Sequence, residues 1–246
     1  MLLQLATWPE IEAYLQRSTG IIVPIGSTEQ HGPNGLIGTD AICADTLARG
    51  VAKQHDVLVA PPLNYGMAQH HLGFPGTISL RPLTLIHVIK DMIAALRVHG
   101  FTHIYFLNGH GGNEASTNAA FSEIYAETSF QQNAQPVRCK LRNWWTLPGV
   151  GRFSKERYGR AEGHHATPSE VSLSYYAYPE AVKNVAMSPE LAPDGVIFDA
   201  QDYRRQFPDG RIGSNPALAS IEAGEELFAI GVEGVYKDYQ AFLAGD

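Results

Sequence analysis

Short runs of uninterrupted apolar residues alternate along the chain with stretches of helical period. Ile21-Ile22-Val23-Pro24-Ile25 is β-branched and ends at Gly26, and Asp56-Val57-Leu58-Val59-Ala60 is closed by Pro61-Pro62. Strands without a polar face are buried on both sides, as parallel strands are. Thr102 to Leu107 is a third such run, and Pro136 to Trp144 alternates well enough for a fourth strand. Between them the pattern predicts helices over 7–16, with Thr7 as cap and Pro9 in the first turn, and from Thr39 or Asp40 to Gln54. Two more follow, from Pro82 to His99 and from Glu114 to Glu127. Strand and helix in alternation give an α/β fold of three layers, a mostly parallel sheet flanked by helices. After Thr167 the chain reads as mostly helical, with one long helix from Ser214 to Phe242 weakened by Gly224 and Gly231. The segments 147–162 and 193–213 read as polar loops. Leu63 to Leu80 has no clean period, and a loop that long in a compact domain is usually functional.

Composition narrows the function classes. At 246 residues with no compositional break, the expectation is a single domain over 1–246. A net charge of −7 argues against nucleic acid as a partner. Two cysteines make neither a disulfide framework nor a thiolate zinc site. No apolar run approaches the ~18–20 residues of a membrane span, and the first residues lack the basic region and cleavage site of a signal peptide. A cytoplasmic protein without membrane association is therefore expected. What stands out is ten histidines and 24 glycines.

Ligands of open α/β sheets sit beyond the carboxyl ends of the strands, and metal-type residues gather there. After the first strand come Glu29 and His31, two apart and so on one side of an extended segment, then Asp40 at a helix start. Asp40 either caps that helix or turns into the cleft. After the third strand comes His110, flanked by glycines in Asn108-Gly109-His110-Gly111-Gly112-Asn113. Two carboxylates and two imidazoles suit Zn²⁺, Mn²⁺ or Fe²⁺ rather than Ca²⁺, and a bridging carboxylate would hold a metal pair ~3.5–4 Å apart. The alternative for the His110 turn is a phosphate cradle at a helix N-terminus, as in a non-catalytic binding module. A second cluster, Glu162-Gly163-His164-His165-Ala166-Thr167-Pro168-Ser169-Glu170, contains a capping box with proline at the first helical position. Capping explains Glu170 but not the two histidines, one of which fits a general acid or base. The long loop adds His70-His71 and Phe74-Pro75-Gly76-Thr77 as substrate or interface candidates.

With these elements in place, the sequence resembles the creatininase (creatinine amidohydrolase) family of metal-dependent amide hydrolases. The resemblance is carried by Gly26 to Pro33 with Thr39-Asp40, by Phe74 to Ser79, by Asn108 to Asn113, and by the spacing from His165 to Glu170. It implies a doubly wound α/β fold with one or two divalent ions per chain and a homo-oligomer, often a hexamer. It also implies Glu29, His31, Asp40 and His110 as metal ligands with Asp40 as the bridge, His165 as acid/base, and Glu170 as a further carboxylate, ligand or proton shuttle. His71, Gly111, Trp144 and His164 are the substrate-binding candidates. Creatinine-hydrolysing members carry a Tyr-Glu pair where this chain has Gly111-Gly112, and a tryptophan at the position of Ala161. Both departures point away from creatinine, with Trp144 or Trp145 left to supply an aromatic wall. The turn instead resembles the branch that includes a formamide hydrolase of flavin and deazaflavin biosynthesis and a mycofactocin-maturation peptidase. The expected reaction is hydrolysis of a C–N amide bond, cyclic or linear, in a small molecule, with activated water attacking the carbonyl and His165 protonating the departing nitrogen.

Overall fold

The computed structural model describes residues 1–130 and 136–245. Three parallel strands form the sheet in the order β1 (Gly20–Ile25), β2 (His103–Asn108) and β3 (Arg138–Asn143). Side chains alternate across the sheet. Ile22, Tyr105 and Leu107 therefore enter one buried cluster, and Ile21, Val23, Ile25, Ile104 and Phe106 enter the other. On the second face lie α1 (Trp8–Leu15), α3 (Pro82–Val98) and α4 (Asn113–Phe130), through Tyr14, Leu85, Ile89, Ile93, Phe121 and Ile124. On the first face lie α2 (Thr39–Gln54) and α8 (Ile221–Ala244), with α5 (Pro148–Tyr158) and α6 (Pro168–Ala177) packed on α8. A short α7 (Ala200–Gln206) covers the long loop near His71. The layered α/β fold read from the sequence is the one observed.

Four local expectations are corrected. Residues 56–60 alternate between the two cores, Leu58 on one side and Val57 and Val59 on the other, yet pair with β1 only through a bridge at Ile22 and Val59. The two prolines after Ala60 remove the donors that would extend the ladder. The segment expected to be a polar loop over 147–162 is mostly α5. Proline at its first position and the buried stripe Val150, Ser154, Tyr158 account for the helix. Within the second expected loop, Asp199 caps α7 by accepting from the N–H groups of Gln201 and Asp202. The long C-terminal helix begins at Ile221 rather than Ser214, capped by Ser220, because Pro216 to Leu218 is a separate 3₁₀ turn.

Candidate active site

The loops after β1 and β2 converge because α2 starts almost in contact with the turn after β2. A Cβ on Gly109 would sit 2.0 Å from the Asp40 carbonyl oxygen, so only glycine permits this approach. Gly38 occupies the cap position of α2, leaving Asp40 free of capping duty. Asp40 turns into the cleft: its Oδ1 lies 3.0 Å from His31 Nε2 and its Oδ2 3.2 Å from His110 Nδ1. Glu29 is fully buried, with Oε2 accepting from the Ser27 hydroxyl at 2.8 Å and Oε1 3.2 Å from His110 Nδ1. Glu170 does both things considered for it. One oxygen accepts from the Thr167 N–H in the capping box, and Oε2 faces the cluster 3.9 Å from His31 Nε2. The four residues read as ligands therefore meet, Asp40 spans the two imidazoles as a bridge would, and Glu170 flanks them.

Three histidines share one arrangement. Each has one ring nitrogen against a backbone carbonyl: His31 Nδ1 on Glu29 at 3.1 Å, His110 Nε2 on Met67 at 3.0 Å, His165 Nε2 on Gln30 at 2.8 Å. A carbonyl only accepts, so a ring proton sits on that nitrogen and the other nitrogen is turned to the cluster. That other nitrogen faces carboxylates in every case, with His165 Nδ1 3.9 Å from Glu29 Oε1. Metal-bound histidines are oriented by such partners. Glu29 Oε1 and Asp40 Oδ2 are buried without a hydrogen bond although imidazole nitrogens lie within 3.2 Å of both. Ring nitrogens and carboxylate oxygens converging on a common point are the donor set a divalent ion requires, and an ion there would take the place of protons on the imidazoles. Three groups of donors close enough to share an ion occur here: Glu29, Asp40 and His110; His31, Asp40 and Glu170; and Glu29, His31 and His165.

The electrostatics agree with that fit. Burial works against protonated His31, but the charges of Asp40 and Glu170 outweigh it and raise the imidazole to about 10. His110 is likewise raised, against burial, by Glu29 and Asp40. Burial pushes Glu29 up, and His110 and His71 overcome it to bring the carboxyl well below its usual range. The buried carboxylates thus favour a cation among them, whether a proton on the imidazoles or a metal ion. His165 moves the other way: burial, and then the neighbouring His71 and His31, hold it neutral.

In the turn after β2, His110 N donates to Asn108 Oδ1, Asn113 N to the His110 carbonyl, and Glu114 N to that of Gly111. Those three donors are engaged within the protein, which weighs against the phosphate-cradle alternative. Gly112 is equally constrained, since a Cβ there would lie 2.3 Å from His110 Nε2 and 2.5 Å from the Met67 carbonyl oxygen. A glutamate at this position is sterically incompatible with the way His110 is held in this chain.

A cavity of about 440 Å³ opens beside Asp40, His110, His165 and Glu170. Of the substrate-binding candidates, Gly111, Trp144 and His164 line it. His71 does not: it lies buried behind the cluster, with Nε2 3.0 Å from Glu29 Oε1 and Nδ1 3.0 Å from the Gln30 carboxamide nitrogen. Sequence reasoning missed Gln30, whose side chain touches His71, His165, Tyr203 and the Gly210 carbonyl. It lies between Glu29 and His31, where a side chain points to the opposite side of the segment, and that position was the available signal. It also missed Ser154 and Lys155 in the cavity lining, because α5 was read as loop.

Comparison with known proteins follows this geometry. The creatininase family profile, described as creatinine amidohydrolase, matches residues 4–238. A 3-dehydro-scyllo-inosose hydrolase from Thermotoga maritima is 38% identical over 99% of this chain and 82% of its own. A mycofactocin precursor peptide peptidase from Mycolicibacterium smegmatis is 39% identical over 87% of this chain and 81% of its own. A tryptophan-to-phenylalanine mutant creatininase superposes with a TM-score of 0.85 at 25% identity, over 98% of both chains. Similar creatininase structures include a Zn–Zn form and a Mn form. No helix among the described residues is long and apolar enough to cross a membrane. With the profile match spanning nearly the whole chain and residues able to hold a metal ion gathered at one point, this protein belongs to the creatininase family of metal-dependent amidohydrolases.

Proposed function

We propose that Glu29, His31, Asp40 and His110 hold one or two divalent ions, Zn²⁺ or Mn²⁺ with Fe²⁺ also compatible, and that the centre cleaves the C–N bond of a small cyclic or linear amide. The observation that carries this is the set of imidazoles tied to backbone carbonyls on one side and turning their other ring nitrogen to buried carboxylates. A divalent ion supplies acidified water and a Lewis acid for the carbonyl when bound. His165 is neutral and tethered at Nε2 to Gln30, so its Nδ1 takes a proton at the cluster and delivers it to the leaving nitrogen. Glu170, pushed by burial up to about 7 despite the attraction of His31, is suited to ligation or to passing the water proton. Gly111, Trp144 and His164 form the substrate wall, and His71 supports Glu29 from behind.

The named relatives act on an inosose, a precursor peptide and creatinine. Creatinine is disfavoured here because Gly112 cannot become the missing carboxylate without displacing His110. A single domain is supported by the two cores sharing one sheet. A cytoplasmic setting is supported by the free thiols Cys43 and Cys139, and a homo-oligomer, a hexamer included, by the bare Val196 and Phe198. Elemental analysis of the purified protein, followed by a mass-spectrometric screen of amides, lactams and formamides, tests the reading. Stoichiometric Zn or Mn and at least one cleaved amide are expected. A preparation that binds no divalent ion overturns it.

A further inference from the structure

α5 contributes Gly151, Ser154 and Lys155 to the lining of the cavity, and Gly159 follows just beyond the helix end. Lys155 is the one charged side chain among them, and the space one turn before it is open, since a Cβ at Gly151 would meet nothing closer than 3.6 Å. Lys155 is also the only lysine or arginine among the residues lining the cavity.

Its charge is not consumed by the protein. Arg157, two residues on, pairs with Glu226, whereas Lys155 has no ion-pair partner among the described residues. The one carboxylate on the same wall, Glu162, does not take it. One Glu162 oxygen accepts the Ser169 hydroxyl, the other is buried without a partner, and burial raises its pKa. An unpaired, solvent-facing ammonium in the lining of the cavity that Asp40, His110, His165 and Glu170 also line is placed to meet an anion supplied by the substrate.

Resting on the proposed hydrolase reading, we propose that Lys155 is a specificity-determining residue that binds a carboxylate of the substrate while the scissile amide lies at the metal centre. The substrate is then an N-acyl amino acid, a carboxylated lactam or a peptide end rather than a neutral amide. A carboxylate is favoured over a phosphate because there is one positive charge to match.

The test uses the metal-loaded enzyme and hydroxamates, which anchor on a metal, carrying tails of one to four methylenes that end in carboxylate, carboxamide or phosphate. Binding is measured calorimetrically. At one tail length the carboxylate is expected to bind about tenfold more tightly than the carboxamide, the scale of a charge-assisted hydrogen bond. Lys155→Ala should erase that preference, Lys155→Arg should restore much of it, and metal content should stay unchanged in both. A preference that is absent at every length, that survives Lys155→Ala, or that is larger for phosphate overturns the assignment while leaving the hydrolase reading intact. Failure of every hydroxamate to bind overturns the metal-centre reading and this inference with it.

Discussion

His110 Nε2 lies 3.0 Å from the carbonyl oxygen of Met67, and this contact fixes which ring nitrogen faces Glu29 and Asp40. Met67 belongs to the long loop before α3, held by its N–H to Asn113 Oδ1. The cluster is thus aligned by a loop that supplies no ligand of its own. Gly112 lies against both partners. Gly112→Ala should force them apart and weaken metal affinity by about 10–100-fold, the usual effect of losing an outer partner. Competition against a chelator of known affinity measures this. Unchanged affinity would show that the Met67 contact does not orient the imidazole.

Replacing ligand and proton carrier should have separable consequences. His110→Ala is expected to lose metal and turnover together. His165→Ala should keep the metal and lower kcat by about 10²–10⁴-fold, the range of a placed acid or base. Metal content and kcat measured on the same preparations distinguish the two, and loss of metal from the His165 variant would make that residue a ligand.

Removing the ion should also destabilise the fold, because buried Glu29 and Asp40 lose the cation that balances them. At a free ion concentration of 100 Kd the holo form gains about 2.7 kcal/mol. The chelated protein should therefore melt at a lower temperature and recover with added Mn²⁺ or Zn²⁺ but not Ca²⁺. Equal recovery with Ca²⁺ would contradict the mixed nitrogen and oxygen donor set.

Away from the site, Asp238 on α8 binds Arg142 in two places, at 2.6 and 3.1 Å, and also Lys140 and Tyr105. Burial pushes its carboxyl up, but these partners prevail and depress it. A depressed folded-state pKa contributes stability that is present above the unfolded value of about 4 and lost as pH falls through the lower folded value. Asp238→Asn should cost about 1 kcal/mol at pH 7, and the penalty should shrink below about pH 4. Denaturant titrations at both pH values check this, and a penalty independent of pH would assign the effect to packing.

The sequence made the metal end of the site readable because its signals are local. The spacing of Glu29, His31 and Asp40, and His110 among glycines, sit where β1 and β2 end, and the sheet brings those ends together. The layered fold was legible for the same reason, through runs such as Ile21 to Ile25. What escaped were features set by tertiary contacts. Residues 56–60 carry a strand pattern but meet β1 at a bridge only. Residues 148–158 are polar enough to read as a loop, yet Val150 and Tyr158 anchor them as a helix over α8. Gln30 sits between two candidate ligands, and only its tertiary contacts show that its carboxamide joins four groups from distant segments.

The packing of α5 on α8 places the far side of the cavity on the C-terminal part of the chain, while Glu29, His31, Asp40 and His110 all come from the N-terminal half. His165 and Glu170 reach the same donor cluster from the C-terminal half, so the site exists only where both halves of the chain meet. Substitutions along α5 can nevertheless reshape the lining of the cavity while leaving every residue of that donor cluster in place.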